Sequence, residues 1–152
     1  MYSPTKQKVV EFKRRYPTTV AWRIGAHSKV IEDHLNPEEE VTYAFAGQRY
    51  QGAFEFFNSC VVVLTNKRIL IGIKRVLFGY FLYSITPDMF NDLKVRGNII
   101  WGTIEIDTVK ENVFISKIDK AALDEIETPL SEYMMRKKRP KDENKSSNVD
   151  ED

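Results

Sequence analysis

Cysteine is nearly absent from this 152-residue chain, which has one, Cys60. One cysteine excludes an internal disulfide, as is typical of a reducing cytoplasm. Cys60 lies among valines, so we expect a small buried side chain rather than a reactive thiol, because burial in apolar surroundings raises a thiol pKa. No apolar run approaches the ~20 residues that span a bilayer, and the first residues lack the apolar core of a secretory signal. We therefore expect a cytoplasmic, soluble protein.

Motifs that carry catalysis are also absent: there is no P-loop, Rossmann fingerprint, nucleophile elbow or zinc-spaced cysteine set. His27 and His34 are seven residues apart, a spacing that does not suit a metal site, so we expect surface histidines. Glu105, Asp107 and Glu111 straddle a predicted hairpin, where acids discourage edge-to-edge sheet pairing more often than they catalyse. We expect no enzyme, no cofactor and no metal.

The charge is close to balanced, with 23 Lys and Arg against 22 Asp and Glu. The N-terminal 36 residues are basic and the last 13 are acidic, so the middle of the chain is neutral. A neutral domain has no strong field for attracting nucleic acid. The basic segments KQKVVEFKRR and RKKRPK also lack the interleaved aromatic residues of single-strand binders. Nucleic acid is therefore an unlikely partner class on sequence grounds.

The length and the composition shifts predict one core with two extensions. Residues 1–36 are a helical extension, residues 37–139 form the domain, and residues 140–152 are a disordered acidic tail. In the extension, Ser3 and Pro4 begin a helix that runs to residue 16, and Thr18 or Thr19 begins a second that runs to about residue 35. Such short helices need cover, from their own domain or from another chain, and the sequence leaves both open.

The stretch from Cys60 to Ser84 predicts three strands joined by tight connections, because its Val, Ile, Leu, Phe and Tyr runs are broken at polar corners. Further strands are predicted at 41–48, at 54–65 leading into that stretch, at 93–95, at 99–106 and at 112–118. Glu38 to Glu40 is expected to be a solvated turn. Asp119 then begins an amphipathic helix, which Pro129 should kink or divide.

The segments EEEVTYAFAG, VVVLTNKRILI, FGYFLYSITPDMFNDL, IIWGTIEI and NVFISKID, followed by the closing helix, occur in the order seen in pleckstrin-homology (PH) domains. The chain resembles the bacterial PH-like domains of the YokE type over roughly residues 38 to 135, most specifically at the corner Leu64 to Leu70. The resemblance implies a mainly β, α+β fold: a PH-like antiparallel sandwich or partly open barrel of about seven strands with a C-terminal capping helix. The N-terminal helical hairpin predicted above from the residues themselves precedes this domain. It implies no catalytic residues, and the Thr65 to Arg68 corner is interpreted as a turn.

Phosphoinositide-binding PH domains use a basic loop between their first two strands, and here that loop offers only Arg49. A better candidate site follows the third strand, where Lys74 and Arg75 precede Val76, Leu77 and Phe78. An apolar loop beside two cations suits an anionic membrane or a protein groove, unless these residues pack beneath their own connection.

Trp22 and Trp101 complete the candidate interaction residues, because an indole outside the core usually needs a covering surface. The sequence thus predicts a non-catalytic binding or assembly module for an unknown protein partner or for self-association, through the helical arm or a sheet edge. The alternative is peripheral binding to an anionic membrane surface through residues 74–78.

Overall fold

The computed structural model describes residues 3–49 and 59–136, which form three α-helices and seven β-strands. The helices are α1 (Pro4–Arg15), α2 (Ile24–Glu32) and α3 (Leu123–Met135). The strands are β1 (Val41–Arg49), β2 (Ser59–Thr65), β3 (Ile69–Lys74), β4 (Tyr80–Ile85), β5 (Phe90–Gly97), β6 (Trp101–Thr108) and β7 (Asn112–Asp119). The predicted start of a strand at residue 54 and the predicted disordered tail at 140–152 lie outside the described residues.

The strands of the described chain form one antiparallel sheet in the order β4-β3-β2-β1-β7-β6-β5. The sheet curls into a half-barrel, because inward side chains from both halves of it join a single core that α3 closes. Phe45, Val62 and Ile71 come from one half, and Ile104 and Ile115 come from the other. The predicted PH-like, mainly β architecture with a capping helix is confirmed.

The closing helix begins much as predicted and then differs. The Asp119 side chain accepts a hydrogen bond from the backbone N–H of Ala121 at 3.0 Å, which caps the 3₁₀ turn that leads into α3. Pro129 lies inside α3, which continues as one helix from Leu123 to Met135, so of the two predicted alternatives, a kink or a division, the division into two helices is wrong. The Tyr133 hydroxyl donates to the Lys67 carbonyl at 2.8 Å, which holds the second half of the helix against the sheet.

The two N-terminal helices pack on the outer face of their own sheet. Val9 of α1 and Ile31 of α2 join Ala44, Val61 and Leu70 in a second apolar cluster on that face. Strands β2 and β3 are therefore apolar on both faces because both faces are covered. Of the two kinds of cover left open by the sequence, the structure shows these helices on their own domain.

Helix α1 is also tied to the far end of the core. The Arg15 guanidinium contacts the Glu125 carboxylate of α3 at 3.0 Å, and the Tyr43 hydroxyl donates to the same carboxylate at 2.7 Å. Burial followed by the bond to Glu125 raises the pKa of Tyr43 well above its usual range, so this hydroxyl remains a donor. The helices are thus an integral layer of the fold, and the domain boundary at residue 36 stays a prediction.

The second helix begins later than predicted, at Ile24 rather than at Thr18 or Thr19. Residues 17–23 instead form a crossing segment over the end of the sheet. The Thr19 hydroxyl accepts from the Asp119 backbone N–H at 2.9 Å, and the Val20 N–H donates to the Lys117 carbonyl at 2.9 Å. A threonine that could cap a helix here bonds a distant strand, because the backbone groups it meets belong to β7.

The Thr65 to Arg68 corner is a turn, as predicted, but Glu39 beside it is buried rather than solvated. The Arg68 Nε and Nη2 donate to the two Glu39 oxygens at 2.8 and 3.0 Å, and the Thr65 hydroxyl donates at 2.7 Å. Desolvation alone would raise the pKa of the Glu39 carboxyl, but the bonds from Arg68 and Thr65 outweigh it and lower the pKa to about 2. The corner is therefore architecture that anchors the segment entering β1.

Strand β5 is longer than the predicted 93–95, and it changes the position of the following hairpin. Because β5 pairs with β6 along its length, the β6–β7 hairpin lies inside the sheet and not at its edge. Glu105, expected to discourage edge-to-edge pairing, is instead buried and accepts a hydrogen bond from the Asn112 side-chain amide at 3.0 Å. Glu105 therefore links β6 to β7 through a side-chain hydrogen bond.

Candidate functional site

Within residues 3–49 and 59–136, the longest run of exposed apolar side chains lies at the turn of the β3–β4 hairpin. The Arg75 backbone N–H donates to the Gly79 carbonyl at 3.1 Å and closes the turn. Gly79 has φ +76°, a conformation that glycine adopts without steric cost. Val76, Leu77 and Phe78, here called the tip, are 68%, 83% and 84% exposed. The alternative that these residues pack beneath their own connection is wrong.

Helix α2 and the crossing segment clamp the base of the hairpin. The His27 Nδ1 accepts from the Lys74 backbone N–H at 2.7 Å, and the Arg23 guanidinium donates to the Lys74 carbonyl at 3.0 Å. These side chains satisfy the two backbone groups that point away from β4. The base of the tip is thus fixed on both sides, by a strand and by α2.

The clamp corrects the expectation that both histidines are surface residues, because His27 is only 3% exposed. Burial, followed by the nearby Arg23 charge, lowers the pKa of His27 to about 4. The ring is therefore neutral, and its Nδ1 is free of a proton and able to accept from Lys74. His34 is half-buried instead, with Nδ1 donating to the Val30 carbonyl at 2.7 Å and Nε2 2.9 Å from the Tyr80 hydroxyl.

Aromatic and cationic side chains surround the tip. Trp22 is 59% exposed at the same end of the sheet, where its backbone N–H donates to the Ser59 hydroxyl at 2.9 Å. Tyr80 and Phe81 begin β4 about half exposed, and the Arg75 guanidinium carbon lies 4.8 Å from the Phe81 ring centroid. A groove of about 360 Å³ separates α2 from the start of β4. This end of the molecule therefore combines an apolar projection with cations and aromatic rings.

Strand β4 forms an open edge in the described part of the sheet. Hydrogen-bonded and non-bonded pairs alternate along an antiparallel ladder, and the Arg75–Gly79 bond sets the phase. The backbone groups of Tyr80, Leu82 and Ser84 therefore face outward, away from β3. No charged residue occurs in YFLYSI, whereas the opposite edge, β5, carries acidic and basic residues in FNDLKVRG. Charged side chains protect β5 against pairing, whereas the β4 strand itself carries none.

Five of the six predicted interaction residues come together at this end of the sheet: Trp22, Lys74, Arg75, Leu77 and Phe78. Trp101 lies apart on β6, where its indole N–H donates to the Thr18 carbonyl at 3.0 Å. The Lys117 ammonium lies 4.6 Å from the Trp101 ring centroid and supplies further cover. The crossing segment therefore partly covers this indole.

Sequence reasoning missed Arg23, Tyr80 and Phe81. The two aromatic residues had a signal, since they directly follow the turn glycine and open a strand without charges. Arg23 had none, because its role depends on a left-handed backbone conformation, φ 54°, that aims the side chain at Lys74.

The described residues 3–49 and 59–136 contain no group of three or more His, Cys, Asp or Glu placed to hold a metal ion. Within the same ranges, no helix has both the length and the apolar character needed to cross a bilayer. The most perturbed acid, Glu39, is bound to Arg68 and Thr65, which makes it part of the scaffold.

Comparisons with known proteins bear on the fold and the family. A family model described as bacterial PH domain matches residues 35–131. A DUF1696 family protein with a PH domain from Shewanella loihica PV-4 is similar in structure, with a TM-score of 0.50 at 14% identity over 70% of this chain and 89% of that one. A PH domain from Shewanella amazonensis SB2B gives a TM-score of 0.47 at 14% identity over 69% and 92%.

The search of curated proteins gives no significant match. The YokE subtype stays a prediction, whereas the wider family assignment rests on a match that covers most of the chain. The chain belongs to the bacterial PH domain family.

Proposed function

We propose that this chain is a non-catalytic binding module that acts in the cytoplasm by protein–protein association, and that its first partner is a second copy of itself. PH-like domains are generally binding modules without catalysis, which supports the general class. The observation that carries the proposal is the uncharged, outward-facing edge of β4. The helical arm, the other route to self-association, is less suitable because its apolar faces already cover the sheet.

Two copies of β4 are compatible with antiparallel pairing about a two-fold axis. An axis through Leu82 sets Leu82 opposite its symmetry mate and Phe81 opposite Tyr83 of the second copy, so inner and outer faces stay aligned. No like charges meet across such a pair, because the strand has none. The two sheets then continue into one another through the backbone groups that β3 leaves free.

The experiment is a sedimentation equilibrium series on the full chain. The wild type is expected to show a concentration-dependent mass approaching that of a dimer. The double variant Tyr80→Lys/Phe81→Lys is expected to stay monomeric, because it places paired cations along the edge. Ile99→Lys/Ile100→Lys is the matched control, since these two residues are 93% and 51% exposed in the distant β5–β6 turn. A wild type that is monomeric throughout, or equal behaviour of both variants, contradicts self-association.

A second candidate function is peripheral binding to an anionic membrane surface through residues 74–78. The exposure of the tip beside Lys74 and Arg75 supports it. Sedimentation with anionic vesicles tests it by comparing the wild type with Lys74→Glu/Leu77→Asp. Equal sedimentation of the two proteins ends this candidate.

A further inference from the structure

The tip has the shape of an interfacial wedge. Its three apolar residues are consecutive, are 68–84% exposed, and occupy the outermost turn of a hairpin rather than the side of a groove. The tip has no polar side chain that could define a protein partner. Its backbone N–H and C=O groups, however, are not all paired, and unpaired peptide groups are costly in hydrocarbon. Such a wedge suits the boundary between headgroups and acyl chains, not the bilayer centre.

Cationic residues lie at the base of the tip. Lys74 and Arg75 are exposed at its base, and Arg23 reaches the same point through its bond to the Lys74 carbonyl. The neighbouring acid on α2, Asp33, is already paired with Lys29 at 3.0 Å. The charge behind the wedge is therefore complementary to anionic lipid headgroups.

The base and the turn of the tip are also fixed by hydrogen bonds before the protein meets a membrane. The clamp from His27 and Arg23 fixes Lys74, and the Arg75–Gly79 bond closes the turn. A surface that is ordered in advance loses less conformational entropy on binding. The Arg23 guanidinium is bonded to the Lys74 carbonyl and the Arg75 guanidinium lies over the Phe81 ring, so we expect the cations to act as surface charge and not as a site for one headgroup.

From these features we infer that the tip inserts Leu77 and Phe78 below the headgroups of an anionic bilayer, with Lys74 and Arg75 at the level of the phosphates. Binding follows the surface charge density and not the headgroup stereochemistry. The inference rests on the second candidate function and adds the insertion depth, the orientation of the tip and the lack of selectivity among anionic headgroups.

Insertion is read with vesicles of phosphatidylglycerol and phosphatidylcholine that carry bromine on their acyl chains. Phe78→Trp is expected to show a blue shift and bromine quenching, whereas Ile99→Trp, at the distant turn, is not. In sedimentation, Leu77→Asp is expected to weaken binding at least about tenfold, and Ile99→Asp is expected to match the wild type. Replacing phosphatidylglycerol with phosphatidylserine at equal charge should leave the affinity unchanged.

The outcomes distinguish insertion of the tip from the second candidate function, peripheral membrane binding, on which the inference rests. Binding that is lost in Lys74→Glu but kept in Leu77→Asp, without quenching of Phe78→Trp, overturns insertion and leaves surface binding intact. A wild type that binds no vesicle overturns both. If Leu77→Asp instead abolishes association between copies of the chain without lipid, the tip is a protein contact and the inference is wrong.

Discussion

Glu39 offers a quantitative test of how the fold is held together. Its side chain is fully buried and accepts two hydrogen bonds from Arg68 and one from Thr65. The pKa of the carboxyl is about 2 in the folded protein against an ordinary value of 4.5. At about 1.4 kcal/mol for each pKa unit, the folded environment favours the carboxylate by roughly 3 kcal/mol.

Glu39→Gln removes the charge while it keeps the shape, and should lower the free energy of unfolding by about 3 kcal/mol at pH 7. Glu38→Gln is the matched control, because that side chain is 87% exposed and its ion pair with the Lys67 ammonium is long, at 3.8 Å. The control should cost less than about 0.5 kcal/mol. Urea denaturation followed by tryptophan fluorescence measures both.

The pH dependence of the free energy of unfolding tests the Glu39 interaction independently. A carboxyl whose pKa is lowered on folding stabilises the protein fully above pH 4.5, and this contribution is lost as the pH falls toward 2. The gap between the wild type and Glu39→Gln should therefore close across that window. Equal stability of Glu39→Gln and Glu38→Gln at pH 7, or a gap that does not change with pH, refutes the reasoning.

Three further predictions concern the core and the clamp. Because the pKa of His27 falls from 6.5 to about 4 on folding, the free energy of unfolding should drop by about 3 kcal/mol as the pH falls through this range. Urea titrations of His27→Gln should show no such dependence of the unfolding free energy on pH. Gly72→Ala should cost about 1–3 kcal/mol in thermal melts, because the new Cβ lies 2.7 Å from Ile31, whereas Gly25→Ala meets only the flexible end of a lysine. Burial raises the pKa of the Cys60 thiol to about 12, so a maleimide should react with it only on unfolding.

Local patterns predicted most of the fold. Alternating apolar residues located β1, β6 and β7, the polar corner at Thr65 located the turn between β2 and β3, and Ser3 marked the start of α1. Each of these signals depends on a few neighbouring residues. The start of α2 was missed because Thr19 is bonded by β7, a hundred residues further along the chain.

Burial of single polar residues could not be predicted in the same way. Glu39 looks like part of a solvated acidic run until Arg68 is brought beside it by the β2–β3 hairpin. His27 looks like a surface residue on a helix until α2 docks over the end of β3. In both cases the hydrogen-bond partner is brought close by the tertiary structure, so the local sequence does not predict it.

The candidate site was partly visible in the sequence. Consecutive apolar residues after Lys74 and Arg75, at a turn, identified the tip, but only the structure shows that its side chains are exposed. The exposure of the β4 edge depends on the strand order, which places β4 last in the described sheet. Trp101 was separated from the site for the same reason, since β6 lies in the other half of the sheet.

The central claim is that the sheet end carrying the tip is the binding surface of this protein, and a spin label at the tip tests it most directly. Nitroxide is attached to Phe78→Cys and, in a matched protein, to Ile99→Cys, while the buried Cys60 stays unlabelled. The label at position 78 should lose mobility with anionic vesicles or at high protein concentration, and the label at position 99 should not. If the label at position 78 stays as mobile as the one at position 99 under both conditions, the claim is wrong.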